Sequence, residues 1–313
     1  DHSTAGFLAS VENCRAVKMG LVAQVAQSYF ELMALDNELA IVRRTLEARR
    51  EGVRLAEIRF KGGLTSEIVF QQAKVELAKT ATMVPDLERR ISLKESEIAL
   101  LTGDFPYAVN RNVLPEEIQL PDALPLGLPS TLLERRPDIR KAERELMAAH
   151  AEVGLAYTNM FPRLALTATL GAESETLRDL LKSPYSYLAG NLLSPLFAMG
   201  KNRAALKAKR AAYEGAVAEY EKTVLTAFKE THDAIINFNK IKDIYESRRQ
   251  LAEASRTAVE LAQLQYINGV IGYLDLLDAQ RNYFDAQVSL SNAVCNKQLM
   301  IINLYKALGG GWK

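Results

Sequence analysis

The stretch LAEIRFKGGLT at residues 55–65 recurs as LAQLQYINGVI at residues 261–271, and this repetition indicates the architecture of the chain. Residues 46–103 align without gaps onto residues 252–309 at an offset of 206 positions. The identical pairs are Glu47/Glu253, Ala48/Ala254, Arg50/Arg256, Val53/Val259, Leu55/Leu261, Ala56/Ala262, Gly63/Gly269, Ala73/Ala279, Leu93/Leu299 and Gly103/Gly309. We interpret the alignment as a duplicated unit in which a long helix, a tight glycine turn and a long returning helix follow one another.

Each copy of the unit turns at glycine. The turns are KGGLT at residues 61–65 and INGVIG at residues 267–272. A glycine after the last apolar position supplies the left-handed conformation that ends a helix. We therefore predict two αα-hairpins with blunt tips. Pro85 lies in the first returning helix, where the second copy has Ser291, and it predicts a kink or break in that helix alone.

Prolines and glycines are unevenly distributed along the chain. All ten prolines lie between Pro85 and Pro195, and residues 216–268 contain neither proline nor glycine. A helix from about residue 202 to residue 267 would be on the order of 100 Å long at about 1.5 Å per residue. Apolar residues recur there at steps of three, four and seven, which predicts packing in a bundle or coiled coil.

The region between the two hairpins has a different character. Residues 104–137 are rich in proline and predict an irregular connector, and a helical pattern follows from Asp138 to about Asn159. Arg163–Ala172 alternates with period two, which predicts a strand, and Tyr185–Ala198 alternates more weakly and ends near Pro195. Both lengths fit membrane-spanning β-strands of about 9–11 residues, with tyrosines where an aromatic girdle would lie. An ordinary soluble hairpin fits the pattern equally well.

These patterns divide the chain into six regions. They are a first helical hairpin (1–103), the proline-rich connector (104–137), a helix (138–160), two strands with an intervening external loop (161–198), a second helical hairpin (199–309) and a tail (310–313).

Composition and motifs exclude several classes of function. A formal net charge of +1 gives no basic surface for nucleic acid. Cys14 and Cys295 form no cluster, and His2, His150 and His232 have no partners at ligand spacing, so we predict no metal site. No stretch of about 18 apolar residues is present to form a transmembrane helix. The sequence contains no GxSxG, Walker or GxGxxG motif, and we predict neither enzymatic activity nor a cofactor.

An isolated pair of strands leaves unpaired backbone groups at its edges and needs partners. A helix and two strands precede the second hairpin, so the duplication predicts the same elements before the first. We therefore expect roughly 60–100 further residues upstream, which include a first strand pair.

Several segments carry a family likeness. They are GLPSTLLERRPDIR at 127–140, FPR at 161–163, SPLF at 194–197, YLDLLDAQR at 273–281 and ALGGGW at 307–312. These segments resemble the TolC-type outer-membrane factors, and more narrowly the NodT-like lipoprotein branch of efflux systems. The likeness extends over essentially the whole chain.

The resemblance implies a mainly α fold with long α-helical hairpins and a β-hairpin that contributes to a trimeric transmembrane β-barrel. It implies a homotrimer in the outer membrane of a Gram-negative bacterium, with a helical tube in the periplasm. It also implies two protein partners, a periplasmic adaptor and an inner-membrane pump that selects the substrate. The expected function is that of a passive exit duct gated at its periplasmic tip.

The resemblance further implies a periplasmic constriction formed by Leu274, Asp275 and Asp278, with Tyr266 as an aromatic that helps to hold the closed state. Ile271 stands where some members have an arginine in this latch. The two aspartates are three positions apart and share a helix face, so three copies would ring the opening and favour cations. Aspartates in a first helical turn also simply stabilise its positive end.

The two turns resemble the tips that meet the adaptor in this family. Apolar residues at a blunt exposed end suit docking, although they can equally pack against one another. The candidate docking residues are Gly62, Gly63, Leu64, Thr65, Asn268, Gly269, Val270 and Ile271.

A different class of protein, a soluble helical scaffold or a periplasmic adaptor without a pore, would share the long hairpins. An adaptor is expected to flank one hairpin with compact β-rich domains, whereas this chain has two hairpins and one pair of strands between them. The duplication therefore favours the duct.

Overall fold

The computed structural model of the protein describes residues 2–111, 133–173, 184–194 and 197–310. Its elements are, in chain order, α1 (His2–Lys61), α2 (Glu67–Thr102), α3 (Pro137–Thr158), β1 (Arg163–Ala172), β2 (Pro184–Leu193), α4 (Met199–Ile267) and α5 (Tyr273–Ala307). The predicted mainly α fold with two helical hairpins and a β-hairpin is confirmed. Most of the predicted connector, most of the loop between the strands, Pro195 and the last three residues of the tail lie outside the described residues.

The two hairpin turns have the same backbone geometry. Gly63 has a φ of 71° and Gly269 a φ of 73°. In each turn the amide after the glycine donates to the carbonyl five residues earlier, at 2.8 Å in the first turn and 2.9 Å in the second. This left-handed cap satisfies carbonyls that the helix end leaves free. The predicted glycine turns are therefore present at the predicted offset of 206.

The far ends of the two returning helices also match. Gly103 and Gly309 have φ values of 81° and 93°. The amide after each glycine again donates to the carbonyl five residues earlier, at 2.9 Å in both copies. The duplicated unit therefore keeps the same backbone cap at the end of its outgoing helix and at the end of its returning helix.

Pro85 does not break α2, which is continuous from Glu67 to Thr102. Of the predicted kink or break, the break is therefore wrong, and the kink stays a prediction. A proline inside a helix removes one hydrogen bond and crowds the preceding turn, which destabilises the helix by roughly 3 kcal/mol. Here Pro85 is exposed, while Thr80 on one side and Leu87 and Ile91 on the other are buried. Packing on both sides of the proline holds the helix together.

The contacts divide the chain into two compact units, of which one comprises Arg15–Arg136 and Ala227–Lys313. Its core contains Leu32, Leu35, Leu39, Val42, Leu87, Ile91, Ile98 and Val109. The guanidinium group of Arg136 is buried and donates to the carbonyl of Ala307 at 3.1 Å and to Glu230 at 2.6 Å. An arginine of the predicted family segment therefore holds the end of α5 against α4.

The other unit comprises Asp1–Cys14 and Pro137–Thr226. In it the first turns of α1 contact α3 through Arg140, which lies 2.8 Å from the buried Glu12, and through His2, which lies 3.2 Å from the carbonyl of Ala148. Lys209 of α4 pairs with Glu152 of α3. Across the part of the chain that the structure describes, no helix has the length and apolar composition required to cross a membrane.

Strands β1 and β2 pair antiparallel, and nearly all of their residues are exposed. The register places Leu164, Leu166 and Leu170 on one face with Leu188 and Leu192. The opposite face carries Thr167, Thr169 and Asn191, together with Tyr185 and Tyr187. The first strand has its predicted limits, whereas the second ends at Leu193, two residues before Pro195, which is its predicted end. The tyrosines lie on the polar face and not beside the leucines, so the aromatic girdle predicted for them is wrong.

Candidate functional site at the hairpin tips

Some apolar residues of the two tips are exposed to solvent, and one packs inside the chain. Leu64 and Val270 are 72% and 70% exposed. Ile271 instead packs against the cluster of Ala262, Tyr266 and Leu276. Of the two alternatives that the sequence left open, internal packing describes Ile271, whereas Leu64 and Val270 are exposed and their role in docking stays a prediction.

The two predicted gate carboxylates lie in the first turns of α5. The amide of Gly272 donates to Oδ2 of Asp275 at 3.0 Å, which caps the helix. Asp278 accepts a hydrogen bond from Nδ2 of Asn282 at 3.3 Å. Leu274 is 62% exposed at the same end. Asp275 therefore stabilises the helix start, and both carboxylates stay at the surface of the chain.

A groove runs between α4 and α5 beside these carboxylates, and we call it the open groove. It has a volume of about 580 Å³. Small residues form much of its wall, and three aspartates face a single arginine along it, so its lining is acidic. The lining residues are Arg248, Leu251, Ala254, Ser255, Ala258, Asp275, Asp278, Ala279, Asn282, Asp285, Ala286 and Ser289.

Tyr266 does not line the open groove. It is 5% exposed, and its ring makes an edge contact with Tyr273 at 5.9 Å between centroids. The guanidinium carbon of Arg59 lies 4.9 Å from the centre of the Tyr266 ring. Burial raises the pKa of the Tyr273 hydroxyl. The structure therefore brings Asp275 and Asp278 together and places Tyr266 in a separate aromatic and cationic cluster between α1 and the second hairpin.

An ion pair that the sequence analysis missed joins the two hairpins near the tips. Nη2 of Arg281 lies 2.5 Å from Oε1 of Glu76, and Nε lies 3.3 Å from Oε2. Glu76 is 7% exposed and also accepts from Lys79 at 3.2 Å. The hydrogen bond from Arg281 outweighs burial and lowers the pKa of the Glu76 carboxyl, which is therefore ionised at neutral pH.

A second polar contact lies beside this pair. Arg49 of α1 is 7% exposed and donates to Oε1 of Gln280. Burial lowers the pKa of Arg49, although the charge of Glu76 opposes the shift. Phe284, one turn further along α5, packs against the core of the first hairpin. We call the face of the first hairpin that α5 covers in this way the filled groove.

The sequence contains one signal for this contact. The repeat alignment places Arg49 opposite Ser255 and Glu76 opposite Asn282, so charged residues of one copy replace small or neutral residues of the other. Charges at positions that are buried in a helical hairpin require partners. The alignment could therefore have indicated that another element pairs with the first copy at these two positions.

A metal centre is not indicated by the geometry. Within residues 2–111, 133–173, 184–194 and 197–310, no three histidine, cysteine or carboxylate side chains are grouped so that they would hold a metal ion. Cys14 is exposed on α1, and Cys295 is half-buried on α5 with its thiol pKa raised to about 11 by burial.

The sequence matches the family model described as "Outer membrane efflux protein" over residues 1–104 and 128–310. It is 35% identical over 322 aligned positions to the outer membrane protein OprJ of Pseudomonas aeruginosa, covering 100% of this chain and 66% of OprJ. It is 29% identical to the cation efflux system protein CusC of Escherichia coli, covering 98% of this chain and 67% of CusC. The chain thus spans about two thirds of the length of these curated relatives.

Solved structures give the same likeness. The outer-membrane channel OprN superposes with a TM-score of 0.90 at 30% identity, covering 99% of this chain and 71% of that one. A CusC structure superposes with a TM-score of 0.85 at 29% identity, covering 99% of this chain and 73% of that one.

Proposed function

The chain belongs to the outer membrane efflux protein family, and we propose that it forms the passive outer-membrane exit channel of a tripartite efflux system. The channel is a homotrimer that works with a periplasmic adaptor and an inner-membrane pump. The family consists of channel proteins and not of enzymes, and we assign no catalytic step to this chain. The proposal rests on the pair of β-strands, which has one apolar face and one polar face.

The strand pair has the pattern of a wall between lipid and water. Leu166 and Leu170 are 72% and 85% exposed on one face, and Leu188 on the paired strand is 78% exposed. The other face presents Thr167 and Thr169. Alternation of this kind places one face of a sheet in hydrocarbon and the other in an aqueous lumen. The strands of three copies close around the lumen and leave no edge unpaired.

The two helical hairpins form the periplasmic part of the channel, and their tips form its gate. Leu274 narrows the opening, and Asp275 and Asp278 of three copies place six carboxylates near it, which favour cations. Tyr266 and its partner Arg59 hold the second tip against the first hairpin in the closed state. Opening moves the start of α5 outward.

The two exposed tips receive the adaptor. Leu64 of the first turn and Val270 of the second are equivalent in the repeat and equally exposed. Apolar residues at a blunt end lose water when a partner covers them, which stabilises docking. Gly62, Gly63 and Thr65 in the first turn, with Asn268 and Gly269 in the second, fix the backbone that presents them.

The test is purification of the protein from separated membranes, followed by recording in planar bilayers. We expect outer-membrane fractionation, a trimeric mass and ion currents. Replacement of Asp275 and Asp278 together by asparagine is expected to lower the preference for cations without loss of the trimer. Recovery of the protein in the soluble fraction without currents would contradict the proposal and favour the helical scaffold.

A further inference from the structure

The second hairpin turn contains an asparagine that is followed directly by a glycine. Asn268 is the one asparagine in the sequence with glycine after it. The first turn has Gly62 at the equivalent position, 206 residues earlier. Glycine has no side chain to obstruct its own amide nitrogen, and its backbone adopts many conformations. That nitrogen is therefore well placed by sequence to attack the side-chain amide carbon of Asn268, a reaction that the first turn cannot undergo.

The folded turn holds both reacting groups in hydrogen bonds. Nδ2 of Asn268 donates to the carbonyl of Leu264 at 2.8 Å. The amide nitrogen of Gly269, which would be the nucleophile, donates to the carbonyl of Tyr266 at 3.1 Å. Attack requires a free Gly269 nitrogen and an Asn268 side chain turned towards it. The turn must therefore open before the two groups react.

The turn is accessible to water and has little packing of its own. Residues 267–270 are exposed. They lie between Tyr266, which is 5% exposed, and Ile271, which packs against the Tyr266 cluster. A segment that is held by exposed hydrogen bonds and few buried contacts opens locally at low free-energy cost. Base and water therefore reach Asn268 in the folded chain whenever the turn opens.

We propose that Asn268 is a site of spontaneous deamidation, in which the amide nitrogen of Gly269 displaces ammonia from the Asn268 side chain when the turn opens. After a base removes the amide proton, the nitrogen bonds to Cγ, the Cγ–Nδ2 bond breaks, and Nδ2 takes a proton from water and leaves as ammonia. A second water then opens the five-membered imide. Its attack on Cγ gives aspartate, and its attack on the main-chain carbonyl carbon gives isoaspartate. Both products are anionic at neutral pH.

Neither product restores the original turn. A carboxylate has no hydrogen to donate, so it meets the carbonyl of Leu264 as a second acceptor. Its charge also lies at the carboxyl end of α4, where the helix dipole disfavours an anion. Isoaspartate adds one atom to the main chain before Gly269, which displaces the amide of Val270 from the Gln265 carbonyl that it contacts at 2.9 Å. Deamidation therefore loosens the second turn and leaves the first turn unchanged.

The test is incubation of the purified protein at mildly alkaline pH, followed by trypsin digestion and mass spectrometry. Cleavage at Arg256 and Arg281 releases residues 257–281, in which Asn268 is the one asparagine. We expect an acid to replace the amide in this peptide, faster at higher pH. The matched control is the adjoining peptide, residues 282–297, whose three asparagines are exposed but not followed by glycine. It should stay unmodified over the same time.

Protein unfolded in urea should deamidate roughly tenfold faster than the folded protein, because two hydrogen bonds hold the reacting groups only in the folded turn. Asn268→Gln keeps an amide donor but would need a larger ring for the same attack, so its peptide should not become acidic. No reaction at Asn268 in either state, or equal rates in the two states, would overturn the inference.

Asn268→Asp introduces one product directly and tests its effect on the turn. Hydrogen exchange at the Val270 amide should rise roughly tenfold, because a hydrogen bond is lost and an anion is added at the helix end. The equivalent amide of Leu64, which donates to Arg59 at 2.8 Å, is the internal control and should not change. Unchanged exchange at Val270 would overturn the proposed loosening. The inference concerns the chemistry of the single chain, so its failure would leave the proposed channel function intact.

Discussion

Loss of the charge of Glu76 should loosen α5 from the first hairpin. The substitution Glu76→Gln keeps the shape of the side chain but turns a bidentate ion pair with Arg281 into neutral hydrogen bonds. A hydrogen bond to a charged group contributes about 1.5–3 kcal/mol. The side chain of Arg281 is 46% exposed, so solvent screening reduces this value. We expect about 1–2 kcal/mol, or a roughly 5- to 30-fold rise in the population of the loosened tip.

The assay is limited proteolysis of the assembled protein by trypsin at Lys61, which is exposed immediately before the first turn. Cleavage tracks the population of the open form when opening is fast relative to cleavage. The matched control is Glu88→Gln, which removes a pair with Arg43 at 2.8 Å whose side chains are 51% and 59% exposed. That control should change the rate less than about twofold.

A double-mutant cycle with Arg281→Gln isolates the pair. We expect a coupling free energy of about 1 kcal/mol between Glu76 and Arg281. A coupling below roughly 0.3 kcal/mol, with equal rates for Glu76→Gln and the Glu88 control, would refute the reasoning.

Acid should have the same effect as the substitution. The folded protein lowers the pKa of Glu76 from its ordinary value of 4.5, chiefly through the hydrogen bond from Arg281. The stabilisation is therefore complete above that ordinary value and is lost as pH falls through the lower folded pKa. Trypsin is inactive there, so pepsin cleavage of the tip is the measurement. The rate of cleavage is expected to rise as the pH falls, and this rise should be absent in Glu76→Gln.

Three further predictions concern the gate, the turns and the strands. Asp278→Asn should reduce the preference for cations, and an unchanged reversal potential across a salt gradient would contradict its place in the opening. Gly269→Ala should destabilise the protein by about 1–2 kcal/mol because its φ is positive, whereas Gly52→Ala, in open space on α1, should stabilise it by about 0.5–1 kcal/mol. Thermal midpoints that shift in the same direction would refute this. Leu166→Lys on the apolar face should destabilise the membrane-inserted protein by about 2–4 kcal/mol and so lower the amount of trimer in the outer membrane. Thr167→Lys on the polar face should be tolerated. Equal losses would show that the two faces were assigned wrongly.

The turns and β1 could be predicted because their signals are local. A glycine with positive φ follows the last apolar residue of each outgoing helix, and the offset of 206 makes one turn predict the other. Side chains alternate strictly with period two over Arg163–Ala172, which is typical of a β-strand, and the strand has the predicted limits. The weaker alternation after Tyr185 predicted a strand but not its end, because small and apolar residues there fit either face.

The contact between Glu76 and Arg281 could not be predicted in the same way. The two residues are 205 positions apart, and the repeat alignment indicates that Glu76 needs a partner but does not identify α5 as the helix that supplies it. The prediction of a helix break at Pro85 is wrong for a related reason, because helix propensity describes only the local sequence. The buried residues on either side of it gain stability from packing that only the tertiary structure reveals.

The ion pair between Glu76 and Arg281 also determines how the protein responds to dilution. Both partners belong to one polypeptide, so their encounter is intramolecular and the fraction of pairs formed does not change with protein concentration. Contacts between separate copies obey mass action and weaken as the protein is diluted. A protomer that dissociates from the other copies should therefore keep its two hairpins in contact and reassociate as a single folded unit.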